Sequence, residues 1–264
     1  MNLLTVDVEE INHANFPLLS SYPFPSTVEE GVNNLLHILK THRVKATFFI
    51  LGEIARSFPE MVRRISQEGH EIASHGMRHR LVYEMEEEEF REDIRDSRRI
   101  LEEISGQRIK GYRAPSWSVS RNTLWVFRVL KEEGFLYDSS IFPFTNFLYG
   151  MEGFPPYPFK FGEVWEIPPS TLTFFPRRIP VGGGFYFRIL PLALLFLSME
   201  WFRLSGNPFV LYLHSWEFAE INFPLPYAPL HRFILSAGLG SVKRKLERIL
   251  DIYIFSPVTD FIQG

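Results

Sequence analysis

β-branched and aromatic runs alternate with amphipathic stretches of helical period along most of the chain, and nothing else in the sequence constrains the fold as strongly. Residues 3–8 are apolar enough for a buried parallel strand and end on an acidic cluster, Asp7, Glu9 and Glu10. A long loop with Pro and Ser follows. Ser26-Thr27-Val28-Glu29 then has the pattern of a capping box, with Val28, Val32, Leu35, Leu36 and Leu39 at helical spacing behind it. Residues 44–51 (VKATFFIL) predict a second strand, and Ser57-Phe58-Pro59-Glu60 opens a helix that buries Met61, Val62 and Ile65. A third strand at 71–74, a long charged helix at 86–104, a fourth strand at 109–112, a helix capped by Ser120 and a strand at 135–139 continue the series. Strand–helix units joined by short links argue for an α/β chain with a parallel sheet or barrel, and 264 residues suit one domain over 1–264.

The second half is less regular. Residues 142–180 are rich in Pro, Phe and Gly, with one strand expected at 164–167, and read as an ordered excursion that covers a ligand. The run 189–202 (ILPLALLFLSMEWF) is too short for a transmembrane span and contains Pro191 and Glu200, so a buried or groove-covering helix is expected. A late strand at 209–213, a basic amphipathic helix at 241–250, a strand at 252–255 and a closing helix at 258–262 complete the pattern. Gly182-Gly183-Gly184 lacks the spacing and the Lys-Ser/Thr of a phosphate loop.

Composition removes several function classes. A net charge of -3, with Lys and Arg scattered among Glu, offers no basic field for nucleic acid. With no cysteine, disulfides and thiolate metal sites are excluded, so a transition metal would have to be held by His and carboxylate. The first residues enter a strand without the features of a signal peptide, which makes the cytoplasm the expected compartment. Nothing in the sequence decides the oligomeric state, and a homo-oligomer stays open.

Ser74-His75-Gly76-Met77-Arg78-His79 sets two imidazoles four residues apart. If the backbone turns helical at Ser74, both fall on one face and can share an ion. Such spacing is common by chance. The other chemistry-bearing residues, however, also fall where strands end: Asp7 and Glu9 after the first, Arg113 and Ser116 after the fourth, His214 after the late strand. That rim is where parallel α/β barrels build active sites. Two His and one carboxylate make a three-ligand zinc-type site with positions left for water and substrate. A second carboxylate could accept a proton from the attacking water, a His opposite could protonate the leaving amine, and a backbone N–H could share the oxyanion charge. This is the equipment of an amide or ester hydrolase.

Five segments carry a resemblance: Thr5-Val6-Asp7-Val8-Glu9, Ser74 to His79, Arg113-Ala114-Pro115-Ser116-Trp117, Tyr137-Asp138-Ser139-Ser140 and Leu211-Tyr212-Leu213-His214. Together they resemble the polysaccharide deacetylases of carbohydrate esterase family 4. Segments 165–168 and 180–188 resemble a subgroup linked to exopolysaccharide synthesis. The resemblance implies an irregular (β/α) barrel of about seven strands, Asp7 as general base, Glu9, His75 and His79 as ligands of one divalent metal, zinc by expectation, and His214 as general acid. It further implies that Arg113 orients the base, that the Ser116 amide completes the oxyanion hole, and that Asp138 tunes the acid histidine. Where the family usually has a metal aspartate directly after the base, this chain has Val8, so Glu9 and Glu10 compete for that role. Strand alternation puts Asp7 and Glu9 on one face and favours Glu9. His13 could line the site, His37, His42, His70 and His231 read as ordinary histidines, and Trp117, Trp165, Trp216 and Tyr186 are candidates for stacking on a sugar.

The sequence therefore predicts a metal-dependent hydrolase that removes N-acetyl groups from an N-acetylhexosamine-containing glycan. Two rivals are a hydrolase of small linear or cyclic amides and ureides on the same fold, and a catalytically silent glycan-binding module. A strongly basic closed pocket would favour the first rival; an open aromatic groove would favour sugar.

Overall fold

The computed structural model describes residues 1–144, 150–174 and 177–264. The parts of the 142–180 excursion at 145–149 and 175–176 lie outside the described residues. Strands β1 (Asn2–Val8), β2 (Thr47–Ile50), β3 (Glu71–Ser74), β4 (Gly111–Tyr112) and β5 (Tyr137–Asp138) are followed by β6 (Phe159–Phe161), β7 (Val164–Glu166), β8 (Thr171–Phe174), β9 (Arg177–Pro180), β10 (Val210–His214) and β11 (Phe255–Ser256). The main sheet runs β10-β1-β2-β3-β4-β5-β7-β6, all parallel up to β7, with β6 antiparallel at the edge and β11 paired to β1. Seven strands in parallel order match the expected irregular (β/α) barrel. The gap between β7 and β10 is bridged by Ser170, whose amide donates to Val210 O, and by Gly182, whose carbonyl accepts from Tyr212 N. Gly183 makes a bridge to Tyr212 at φ +140, where a side chain would collide with the Tyr212 carbonyl. Glycine is required there by both space and conformation.

Between the strands lie α1 (Val28–His42), α2 (Gly52–Ser57), α3 (Pro59–Gln67), α4 (Glu87–Ser105), α5 (Val126–Glu132), α6 (Gly184–Ile189), α7 (Leu192–Leu204), α8 (Pro229–Ser236), α9 (Val242–Leu250) and α10 (Val258–Gln263). Strand alternation divides the core. Leu4, Val6, Val8, Phe48, Ile50 and Ile72 point outward into the layer of helices, whereas Leu3, Phe49, Ala73, Tyr137 and Val210 fill the barrel interior. Thr5 and Asp7 share the interior parity of Leu3, so a strand that plugs the barrel at one end delivers a carboxylate at the other.

Several local expectations are corrected. The Ser26 and Ser57 capping patterns are shifted: the helices begin after Thr27 and Phe58, and the α1 N-terminus is held by Glu10, whose carboxylate accepts from Thr27 N at 2.9 Å and from the Ser26 hydroxyl. An anion at a helix start is favoured by the exposed amides. The 142–180 excursion contains β6, β8 and β9 besides the expected strand, all too short for a clear period. Among the described residues no helix is long and apolar enough to cross a membrane. The 189–202 run breaks at Pro191, and α7 buries Leu195, Met199 and Phe202 while Leu197 and Trp201 stay exposed, so it is a one-sided surface helix.

His70 closes the helix-side layer at the start of β3. Its Nδ1 accepts from Ala46 N at 3.2 Å and its ring meets Phe48 edge-on. Burial first, then Lys45, pushes its pKa down to about 4. The native state thus refuses a proton that the unfolded chain accepts below about pH 6.5, so stability falls as pH drops from 6.5 towards 4. We expect the wild type to lose about 2 kcal/mol more than His70→Gln between pH 7 and 4.5 in urea unfolding. Equal losses would remove His70 from the acid response.

Candidate active site

Parallel register sets the chemistry-bearing residues at one level of the barrel rim: Asp7 lies beside His214 and Phe49, Ile50 beside Ser74, and Ser74 beside Tyr112. His75, Arg113 and the turn at Ser116 therefore leave neighbouring strands at the same height. They surround a cleft of about 280 Å³ lined by Asp7, Glu9, His75, His79, Ser116 and His214, with His13, Tyr83, Trp117, Phe185 and Trp216 among its walls.

The histidine pair does not ride on a helix. Gly76 (φ +81) and His79 (φ +53) adopt left-handed conformations that fold the 75–79 loop back on itself. His79 Nε2 lies 2.9 Å and His75 Nε2 3.5 Å from Glu9 Oε2. Ligands about 2.0 Å from a tetrahedral ion are separated by roughly 3.3 Å, and the ligand atoms of Glu9, His75 and His79 all lie within 4.8 Å of one another. His75 Nδ1 is 2.8 Å from Arg113 O. An N–H donated there leaves the Nε2 lone pair facing Glu9. Burial opposes the Glu9 charge, yet His79, His75 and His214 hold its carboxyl well below the usual range. An anionic carboxylate with two imidazole nitrogens, all buried, fits a divalent ion. Glu10 is drawn away to the α1 N-terminus, where its carboxylate accepts from Ser26 and Thr27.

Asp7 Oδ1 accepts from Arg113 Nη1 at 2.6 Å, and the guanidinium is fully buried. Arg113 also donates to Thr5 Oγ1, Ser139 Oγ and Ser139 O, and lies over the rings of Phe49 and Trp117. Ser116 and Trp117 both have positive φ, near +50. The amides of Trp117 and Ser118 close that turn on Ala114 O and Pro115 O, and the Ser116 amide makes no hydrogen bond among the described residues. Four of the five non-glycine residues at positive φ among the described residues, Asn15, His79, Ser116 and Trp117, line this cleft, the strain pattern of a functional site.

Across the cleft, His214 Nε2 is 3.9 Å from Glu9 Oε1, its ring stacks on Trp216, and Nδ1 is 3.5 Å from Glu217 Oε1. Glu217 is buried against Arg188 at 2.9 Å. Burial alone would lower the His214 pKa, but Glu217, Glu9 and Asp7 push it up to about 9. Glu217 was not anticipated, although it stands three residues after His214, a spacing that places it behind the ring. Asp138 is not brought to His214. Tyr137 points into the barrel, so Asp138 points outward, where it accepts from Ser140 Oγ at 2.5 Å and faces Glu166. Burial, and for Glu166 also the neighbouring Asp138, raises both carboxyls. Trp117 and Trp216 reach the cleft; Trp165 packs on Phe261 away from it.

With this geometry in view, residues 21–134 match a family model described as polysaccharide deacetylase. Over these residues the chain is similar to the polysaccharide deacetylases. His75, His79, Arg113 and Ser116 lie inside the matched segment; Asp7 and Glu9 precede it, and His214 lies in residues 139–263, which match a domain of unknown function, DUF3473. A peptidoglycan-N-acetylglucosamine deacetylase of Bacillus cereus is 41% identical over 95 residues, 36% of this chain and 34% of that protein. The alignment thus spans about a third of that relative's length. Among solved structures, the Puue allantoinase has a TM-score of 0.66 at 19% identity, covering 99% of this chain and 88% of that one. A peptidoglycan N-acetylglucosamine deacetylase has a TM-score of 0.55 at 20% identity, covering 100% and 88%. At such identities the chain and these structures share a fold, and nothing finer follows from them.

Proposed function

We propose that the chain is a single catalytic domain that removes N-acetyl groups from an N-acetylhexosamine-containing glycan with the help of one divalent metal ion, zinc in the first instance. The observation that carries the reading is the convergence of Glu9, His75 and His79 beside an aspartate clamped by a buried arginine, with His214 3.9 Å from Glu9 on the other side. Glu9 Oε2, His75 Nε2 and His79 Nε2 would hold the ion, which supplies Lewis acidity towards the acetamide carbonyl and the attacking water. Asp7, with only Oδ1 engaged by Arg113, takes the proton of that water. The free Ser116 amide donates to the developing oxyanion. His214, protonated at neutral pH through Glu217, gives its proton to the leaving amine.

The cleft also supports sugar over a small ureide. Arg188, the one arginine among the described residues of its lining, is engaged by Glu217 and by the carbonyls of Ile234, Leu235 and Ala237, while Tyr83, Phe185, Trp117 and Trp216 form aromatic walls. The test is acetate release from chitooligosaccharides by metal-stripped protein with and without zinc, alongside Asp7→Asn and His79→Ala. We expect zinc-dependent release, lost in both variants by about two orders of magnitude or more. Tight zinc binding without release would move the reading to small amides; no zinc binding would overturn the ligand set.

A further inference from the structure

Resting on the metal reading above, we infer that Asn15 is a positioning residue that ties the ligand His79 to the oxyanion turn at Ser116. The short turn Ile11–Ala14 that follows β1 ends at Asn15, held in the left-handed conformation at φ +55 and ψ 28. Asparagine tolerates that conformation better than most residues. From there its side-chain nitrogen lies 2.9 Å from Ser116 Oγ and 3.3 Å from His79 Nδ1. One carboxamide thus links three loops: the one after β1 that carries Glu9, the one after β3 that carries His79, and the one after β4 that carries Ser116.

The loop is built to hold this position. Glu10 is fixed on the N-terminus of α1, Ile11 is buried against Trp216, Tyr227 and Leu235, and Leu19 N donates to Pro226 O. The ring of His13 stacks on that of His79, with centroids 5.3 Å apart and planes 18° apart. His79 is therefore gripped on its face by His13 and on its Nδ1 edge by Asn15.

The choice of a carboxamide has a chemical reason. When His79 carries its proton on Nε2, the atom 2.9 Å from Glu9, its Nδ1 is an acceptor and the Asn15 amide nitrogen can donate to it. When Nε2 becomes a ligand atom, the proton belongs on Nδ1, and the same carboxamide, turned over, accepts it through Oδ1. The Ser116 hydroxyl, donor or acceptor by rotation, follows the turn. Asn15 can therefore serve both tautomers of His79 without moving the backbone, and an aspartate in its place would serve the ligated one only.

Asn15→Gly keeps the left-handed backbone and removes the carboxamide; Asn15→Asp keeps an acceptor. Zinc affinity measured by competition with a chromogenic chelator is expected to weaken by about 10- to 100-fold in Asn15→Gly and to stay at or above the wild-type affinity in Asn15→Asp. The melting temperature of the metal-stripped variants should match the wild type, which separates positioning from a folding defect. With saturating zinc, Asn15→Gly should lose kcat with little change in KM, because the Ser116 turn loses its tie. Asn15→Gly that binds zinc as the wild type does would overturn the assignment alone. Wild-type protein that takes up no zinc would overturn the metal reading, and the assignment with it.

Discussion

Arg113→Met is expected to cost roughly 3–5 kcal/mol of folding stability, because it leaves the Asp7 carboxylate buried without its partner. The guanidinium has no exposed surface, and its donors are spent on Asp7, Thr5 and Ser139. The intact pair need not add much stability, since burying both charges costs about what their attraction returns. Breaking it on one side does cost, and Thr5 and Ser139 lose a donor as well. Asp7→Asn combined with Arg113→Met should therefore lose clearly less than the sum of the single variants. Arg113→Lys keeps the charge but not the planar fork, and should recover only part of the loss. Urea unfolding of the four variants and the wild type decides it: a loss below about 1 kcal/mol for Arg113→Met would mean that water reaches Asp7 and that the clamp is open.

Much of this arrangement is legible in the chain, and the reasons differ from residue to residue. The strand 71–74 is read correctly because a short apolar run ends at a histidine pair, and β1 because its parity carries Leu3, Thr5 and Asp7 on one face. The same parity separates Glu9 from Glu10 and would also have turned Asp138 away from the acid histidine, since Tyr137 beside it fills the barrel. Strands β6, β8 and β9 escape because three or four residues at an edge or in a hairpin hold too little period to be seen against Phe and Pro. The helical reading of the histidine pair fails because Gly76 and His79 sit at positive φ, a conformation that His79 reaches only under the tertiary constraint of Glu9 and Asn15. Asn15 and Arg188 carry no spacing signal at all: each acts through contacts 64 and 29 residues along the chain. The two histidines are local in sequence, whereas Glu9, far from them along the chain, and the groups that support the site are assembled by the fold.

That division matters for the proposed acid, because His214 draws its character from groups the barrel brings to it. Its imidazole sits between Glu217 and Glu9 with Trp216 beneath, and stays protonated to about pH 9 despite its burial. An N-acetylglucosamine amine is a poor leaving group and needs a proton as the C–N bond breaks, while an activated aryl acetate releases a stable phenolate without one. His214→Gln retains a hydrogen-bonding side chain of similar reach but cannot supply that proton. Its kcat for acetate release from chitooligosaccharides is expected to fall by about 10²–10⁴-fold, and its rate on the aryl ester by less than about tenfold. Equal losses on both substrates would make His214 a group that holds the carbonyl or the sugar, and the proton for the amine would have to come from elsewhere in the cleft, where His13 is the next candidate.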